Sequence, residues 1–177
     1  MHNKIVYHAM KVMNDPAWGL NWPVLRFNFR GTGLSEGEYD GQAEAEDIRA
    51  ALDWLRKQFR RPLVVVGYSF GAMMSILACC NPAEAQPDIK AIAAIGLPVQ
   101  DGATQFQYPF LAGCTKPKLF LSGDTDQFAP VEGLKQLAAA AAEPKKLVLV
   151  AGADHFFASQ LEPLQFELVH WLKEQLQ

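Results

Sequence analysis

Gly67-Tyr68-Ser69-Phe70-Gly71 sets a serine between two glycines, directly after the apolar run Leu63 to Val66 and directly before Phe70 to Cys80, which is apolar nearly all round. A G-x-S-x-G between a strand and a helix holds the serine on a sharp turn with its hydroxyl projecting above the sheet. Glycines are expected on both sides because a Cβ there would collide with neighbouring backbone. The helix start behind the serine favours developing negative charge, and the Phe70 backbone N–H is positioned to donate to an oxyanion. A serine hydroxyl alone is a weak nucleophile, so this chemistry requires a base and an orienting acid further along the chain.

Both follow. The run Lys118 to Leu121 leads into Ser122-Gly123-Asp124-Thr125-Asp126-Gln127, a loop at the end of a strand where a catalytic acid belongs. Asp126 is the preferred acid because it lies farther along the loop and can turn toward a histidine, whereas Asp124 is suited to capping the turn through its own side chain. The next apolar run ends at Val150 and leads into Gly152-Ala153-Asp154-His155-Phe156-Phe157, which makes His155 the candidate general base. Ser69, Asp126 and His155 thus occur in the order nucleophile, acid, base, each just past a strand. His2, His8 and His170 have no such setting and read as structural or solvated.

Positioning these three side chains at one sheet edge requires a parallel sheet, and the rest of the chain supplies one. Short apolar runs at Val24 to Phe29, Leu63 to Val66, Ala91 to Leu97, Lys118 to Leu121 and Lys146 to Val150 alternate with longer stretches of helical period. That alternation predicts an α/β fold of three layers, αβα, with a mostly parallel sheet. Continuous apolar runs are what strands covered on both faces contain. Ala43 to Phe59 predicts an amphipathic helix with Ile48, Leu52, Leu55 and Phe59 on one face, acids early and Arg56 and Lys57 late. Phe70 to Cys80 predicts a buried helix stopped by Asn81 and Pro82. Val131 to Ala142 and Ser159 to Leu176 complete the helices, with Pro163 tolerated in the first turn of the last.

The 177 residues, half of them hydrophobic, suit one domain spanning residues 1–177 with a sizeable core. A net charge of −3 and a pI near 5.8 provide no basic patch, which argues against a nucleic-acid partner and for a small neutral substrate. Cys79, Cys80 and Cys114 are odd in number and two are adjacent, so buried reduced thiols are expected rather than a disulfide framework. No apolar run reaches the roughly 18 residues of a membrane span, and Met1 to Lys4 does not open a signal peptide, so a cytoplasmic location is expected.

These residues resemble the α/β-hydrolase superfamily over nearly the whole chain. Besides the serine turn, Phe27-Asn28-Phe29-Arg30-Gly31-Thr32-Gly33-Leu34-Ser35-Glu36-Gly37 is similar to that superfamily's strand followed by an R-G-x-G-x-S loop. The nearest likeness is to small, lidless, dienelactone-hydrolase-like members and predicted esterases. Only Pro98 to Lys116 lies where a cap would be inserted, so the resemblance implies an open, shallow site for small or extended acyl substrates. Tyr68, Phe106, Tyr108, Phe110 and Phe128 are the candidate walls of that site, and Phe106, Tyr108, Phe110 and Phe128 serve equally as ordinary core aromatics.

The resemblance also implies a departure. Members of this group begin with further strands and a loop ahead of the helix that Asn3 to Met13 resembles, so this sequence reads as amino-terminally truncated relative to them. That loop would supply a second oxyanion N–H. The strand just before the first helix would lie between the Val24 run and the Leu63 run, so either the sheet has a gap or the Val24 strand pairs directly with the Leu63 strand.

The resulting expectation is hydrolysis of a small carboxylic ester or related acyl substrate by a covalent acyl-enzyme, needing neither metal nor organic cofactor. Two other readings compete. A Rossmann-like nucleotide binder is raised by Gly31-x-Gly33-x-x-x-Gly37, but the spacing departs by one from G-x-G-x-x-G and no helix opens there. A non-catalytic domain that keeps the three residues is the other.

Overall fold

The computed structural model describes residues 3–84 and 88–175. Chain order runs α1 (Lys4–Asn14), α2 (Glu44–Phe59), β1 (Leu63–Tyr68), α3 (Phe70–Cys80), β2 (Ile89–Ile95), a short hairpin β3 (Gln100–Asp101) and β4 (Thr104–Gln105), β5 (Lys118–Gly123), α4 (Val131–Ala140), β6 (Lys145–Val150) and α5 (Leu161–Gln175). The main sheet has four strands in the order β1-β2-β5-β6, all parallel. Leu176, the expected end of the last helix, lies outside the described residues, as does His2.

The helices form where periodicity and end signals agree. α1 opens on Asn3, whose side chain accepts the Val6 N–H at 3.0 Å, and buries Ile5, Ala9, Val12 and Met13 at helical spacing. Ala43, before α2, has no capping side chain; Asp40 Oδ1 instead accepts the Gln42 and Ala43 N–H groups, both at 2.7 Å. α3 is buried along nearly its whole length, and its C-cap Asn81 turns extended ahead of Pro82.

The sheet separates two cores. Leu63, Val65, Ile92, Ala94 and Phe120 face α2 and α3, while Ala91, Ala93, Ile95, Leu119 and Leu121 face α1 and α5. β2 and β5, with a strand on each side and helices on both faces, are the most completely buried strands, as their apolar runs predict. Lys118, at the start of β5, is also fully buried; its ammonium donates to the carbonyls of Ala142 at 2.8 Å and Pro144 at 3.4 Å. Burial pushes this lysine down to about 8.

Two expectations are corrected. Val24 to Phe29 forms no strand, so among the described residues the main sheet has four strands rather than five. Nor does this segment cross over to β1: among the described residues, neither segment hydrogen-bonds to the other's main chain. A β-prone run becomes a strand only with a neighbour to pair with, and among the described residues no strand lies beside it. The second correction concerns the thiols. Cys80 and Cys114 form a disulfide with Cα atoms 5.2 Å apart, tying the end of α3 to the segment before β5. Cys79 alone stays free, and burial pushes its thiol up to about 12.

Candidate active site

Ser69 stands between β1 and α3, as the N-cap of the helix, with φ 53° and ψ −121°, a positive φ that a residue other than glycine rarely adopts. The turn is held from both ends: Ser69 N–H donates to Ile95 O at 2.9 Å, and Ser69 O accepts from Ala72 N at 2.9 Å and Met73 N at 3.2 Å. A Cβ on Gly67 would lie 2.3 Å from Gly71 O and 2.6 Å from Ser75 Oγ, so glycine is obligatory there. Gly71 differs from expectation, because a Cβ there would meet only the Phe29 ring, at 3.8 Å.

His155 Nε2 lies 2.9 Å from Ser69 Oγ, and His155 Nδ1 lies 2.8 Å from Asp126 Oδ2. A carboxylate only accepts, so Nδ1 carries the hydrogen toward Asp126 and Nε2 is left to accept from the serine hydroxyl. Asp126 is 2% exposed and His155 5%, so this chain of hydrogen bonds sits mostly away from water. Asp126 Oδ1 accepts the Phe128 N–H at 2.9 Å, and Asp126 Oδ2 also accepts Ser122 Oγ at 3.0 Å.

The loops carrying Asp126 and His155 are bound to each other. Thr125 donates to Ala153 O through both its N–H, at 3.0 Å, and its hydroxyl, at 2.7 Å. Asp124, expected to cap its own turn, instead accepts the Gly152 N–H at 2.7 Å from the histidine loop. A Cβ on Gly123 would stand 2.0 Å from Ala153 O, so the approach of the two loops depends on glycine at the end of β5. Fully buried Phe157 anchors the histidine loop in the α1 and α5 core.

Three aromatic rings lie against the imidazole, those of Phe128, Tyr68 and Phe156, the last edge to face at 5.5 Å. Phe128 meets it edge to face at 4.8 Å, and Tyr68 lies at 5.2 Å with its hydroxyl donating to His155 O at 3.1 Å. Burial, then the charges of Asp126 and Asp154, push the Tyr68 phenol up to about 12, which keeps it a donor. Of the candidate walls, Tyr68 lines the cavity that opens at Ser69, whereas Phe128 touches the imidazole but does not line that cavity. Tyr108 and Phe110 pack into the α3 side of the core, with the Tyr108 hydroxyl on Pro98 O at 2.5 Å, and neither they nor Phe106 line that cavity. For Tyr108 and Phe110 this packing is the core role that their residue types equally allow.

His8 and His170 stand apart, on Gln165 at 3.1 Å and Glu174 at 3.1 Å respectively. The Gly31 to Gly37 segment is a compact turn fixed by Arg30, whose N–H and guanidinium bond Asp47 of α2 at 2.7 to 3.0 Å. The next helix begins only at Glu44, so no helix N-terminus faces a phosphate there. Ser122 and the pair Thr125–Ala153 escaped sequence reasoning; the one signal was a hydroxyl residue at the end of an otherwise apolar strand.

The family model of the alpha/beta hydrolase domain matches residues 8–163, and the chain belongs to that family. An uncharacterized protein of Rickettsia prowazekii is 34% identical over 170 residues, 92% of this chain and 68% of its own length. The chain spans about half the length of a Mycobacterium tuberculosis relative, 54%, at 33% identity over 77% of the chain. Among solved structures, an alpha-beta serine hydrolase homologue from Coxiella burnetii superposes with a TM-score of 0.79 at 31% identity, over 96% of this chain and 76% of that one. A lidless α/β serine hydrolase from Xanthomonas campestris gives 0.79 at 28% identity, over 98% and 74%. The chain thus falls in the small, lidless, esterase-like branch: Pro98 to Lys116 holds only the β3–β4 hairpin and a 3₁₀ turn. These likenesses support a hydrolase function. No helix among the described residues is long and apolar enough to cross a membrane.

Proposed function

We propose that this protein is a serine hydrolase that cleaves a small carboxylic ester or related acyl substrate through an acyl-enzyme, within the dienelactone-hydrolase-like part of its branch. The observation that carries the reading is the continuous relay from Ser69 Oγ through the imidazole to Asp126. Ser69 attacks the acyl carbon as its proton passes to His155 Nε2; Asp126 holds the ring and stabilises its charged form. The Phe70 N–H, in the first turn of α3, donates to the developing oxyanion, and the protonated imidazole gives its proton to the leaving alkoxide. Water, deprotonated by the same nitrogen, then attacks the acyl carbon and releases the acid and Ser69. None of these steps draws on a metal or organic cofactor.

A catalytically incomplete domain is the second reading, favoured by the outer edge of β1, which pairs with no strand among the described residues. Rapid mixing with p-nitrophenyl acetate separates the two. An acyl-enzyme mechanism gives a burst of nitrophenol equal to the enzyme concentration, an acetyl adduct on Ser69 by mass, and neither in Ser69→Ala. A folded chain with no burst and no adduct overturns the first reading.

A further inference from the structure

At the opposite edge of the sheet from Ser69, where β1 and β2 begin, four cations and one carboxylate line a hollow of about 330 Å³: Arg56, Arg60, Arg61, Lys90 and Asp88. That volume falls at the lower end for small-ligand sites, which run from roughly 300 Å³. The chain's net charge of −3 conceals this local cluster. Leu63 to Ser69 spans the length of β1, about 20 Å at the rise of a strand, so the hollow is separate from the nucleophile.

The one carboxylate is already engaged. Asp88 accepts from Arg56 Nε at 2.6 Å and Nη2 at 2.5 Å, and Arg56 Nη1 donates to Asp53 at 2.6 Å. Hydrogen bonding to Arg56, with the charge of Lys116 adding to it, holds the Asp88 carboxyl below its ordinary value. Arg60, Arg61 and Lys90 are exposed, and their side chains have no hydrogen-bond or ion-pair partner among the described residues. Two backbone irregularities bring these cations together. Arg60 follows α2 with φ 48° and ψ 42°, the left-handed conformation in which a helix usually ends on glycine. Lys90 is skipped in the pairing of β1 with β2, where Leu63 faces Ile89 and Val64 faces Ala91. Such a bulge redirects a side chain, and Lys90 is the one exposed residue of β2. A helix C-terminus attracts cations, which accounts for Arg56 and Lys57 in the last turn of α2. It does not account for Arg61, beyond the helix, or for Lys90, on another element.

We propose that this hollow binds a small phosphorylated compound, its phosphate held between Arg60, Arg61 and Lys90. A phosphate monoester carries about −1.5 to −2 charges at neutral pH, and guanidinium forks match its oxygens two at a time. A monocarboxylate would balance only one of the three cations, with the Asp88 carboxylate opposing it. The ligand is thus a multiply charged oxyanion on a body small enough for the hollow, and it binds without reaching Ser69.

Isothermal titration with inorganic pyrophosphate tests this without reference to the nucleophile. At about 0.1 M salt, which screens diffuse attraction, one saturable site is expected, with a Kd below about 1 mM. Arg61→Gln and Lys90→Gln should each weaken binding about tenfold, as expected for the loss of one charge-assisted hydrogen bond. Ser69→Ala and Lys135→Gln should leave binding unchanged; Lys135 carries the same charge on α4, where it pairs with Glu132. Should a variant fail to fold, amide chemical shifts of the native chain decide instead: pyrophosphate is expected to move Arg60, Arg61 and Lys90 and to leave Gly67 to Gly71 in place. A Kd above that bound, an equal loss in Lys135→Gln, or shifts centred away from the hollow would overturn the proposal.

Discussion

The two flanks of the sheet are finished differently. On the β5–β6 side the sheet also ends on an edge strand, β6, but a buried lysine ties Ala142 and Pro144 to the start of β5, and the loops carrying Asp126 and His155 bond each other through Thr125, Asp124 and Gly152. On the β1 side the same sheet stops at a strand whose outer main chain faces a cavity, although that strand carries the serine. Asp126 and His155 are therefore held by a closed network, whereas Ser69 depends on its own turn and on β2. The difference teaches that the Ser69–His155–Asp126 arrangement needs only one well-built flank for its geometry, because Ser69 is fixed from Ile95 and from α3 rather than from the outer edge of β1.

Breaking the closed flank at its reacting atoms has the largest expected effect. Ser69→Ala or His155→Ala should lower ester hydrolysis by about 10⁶-fold, and Asp126→Asn by about 10⁴-fold, read from steady-state rates with p-nitrophenyl acetate. A smaller loss is expected from Ser122→Ala, which removes one donor from the Asp126 carboxylate: about tenfold in kcat, with the Ser69→Ala background unaffected and Ser122→Thr restoring most of the rate. A retained full rate in Ser122→Ala would show that Phe128 N–H and His155 alone position the acid.

On the open flank the sharper comparison is between the two glycines. Gly67→Ala forces a methyl group against Gly71 O and Ser75 Oγ and should cost about 1–3 kcal/mol, whereas Gly71→Ala, facing only the Phe29 ring, should cost well under that by thermal unfolding. Equal losses would mean that the turn is strained elsewhere. The smallest effect concerns pH. Lys118 is held below its ordinary value, so between about pH 8 and pH 10.5 the unfolded chain binds more protons than the folded one. Stability relative to Lys118→Met should rise across that window, and a flat difference in denaturation midpoint would contradict the assigned burial of the ammonium.

The contrast between flanks also separates what is legible in the amino-acid sequence from what is not. Lys118 to Val150 reads plainly, because strand, loop and helix signals there are local: apolar runs ending in Ser122-Gly123 and in Gly152, then acid or base. Phe70 to Cys80 forms the helix its composition predicts. Val24 to Phe29 misleads because strand formation depends on a partner, which side-chain propensity does not supply. The Cys80–Cys114 link is equally hidden, since pairing is set by where α3 ends in space. Tyr108 and Phe110 carry the right chemistry for a pocket wall, yet chain direction after β2 points them into the core.

Covalent labelling by a fluorophosphonate, read by intact mass on the folded chain, tests the central claim most directly. An assembled triad predicts one adduct, on Ser69, lost in Ser69→Ala and in His155→Ala; a folded chain that takes no adduct, or one that labels equally well without His155, would contradict it.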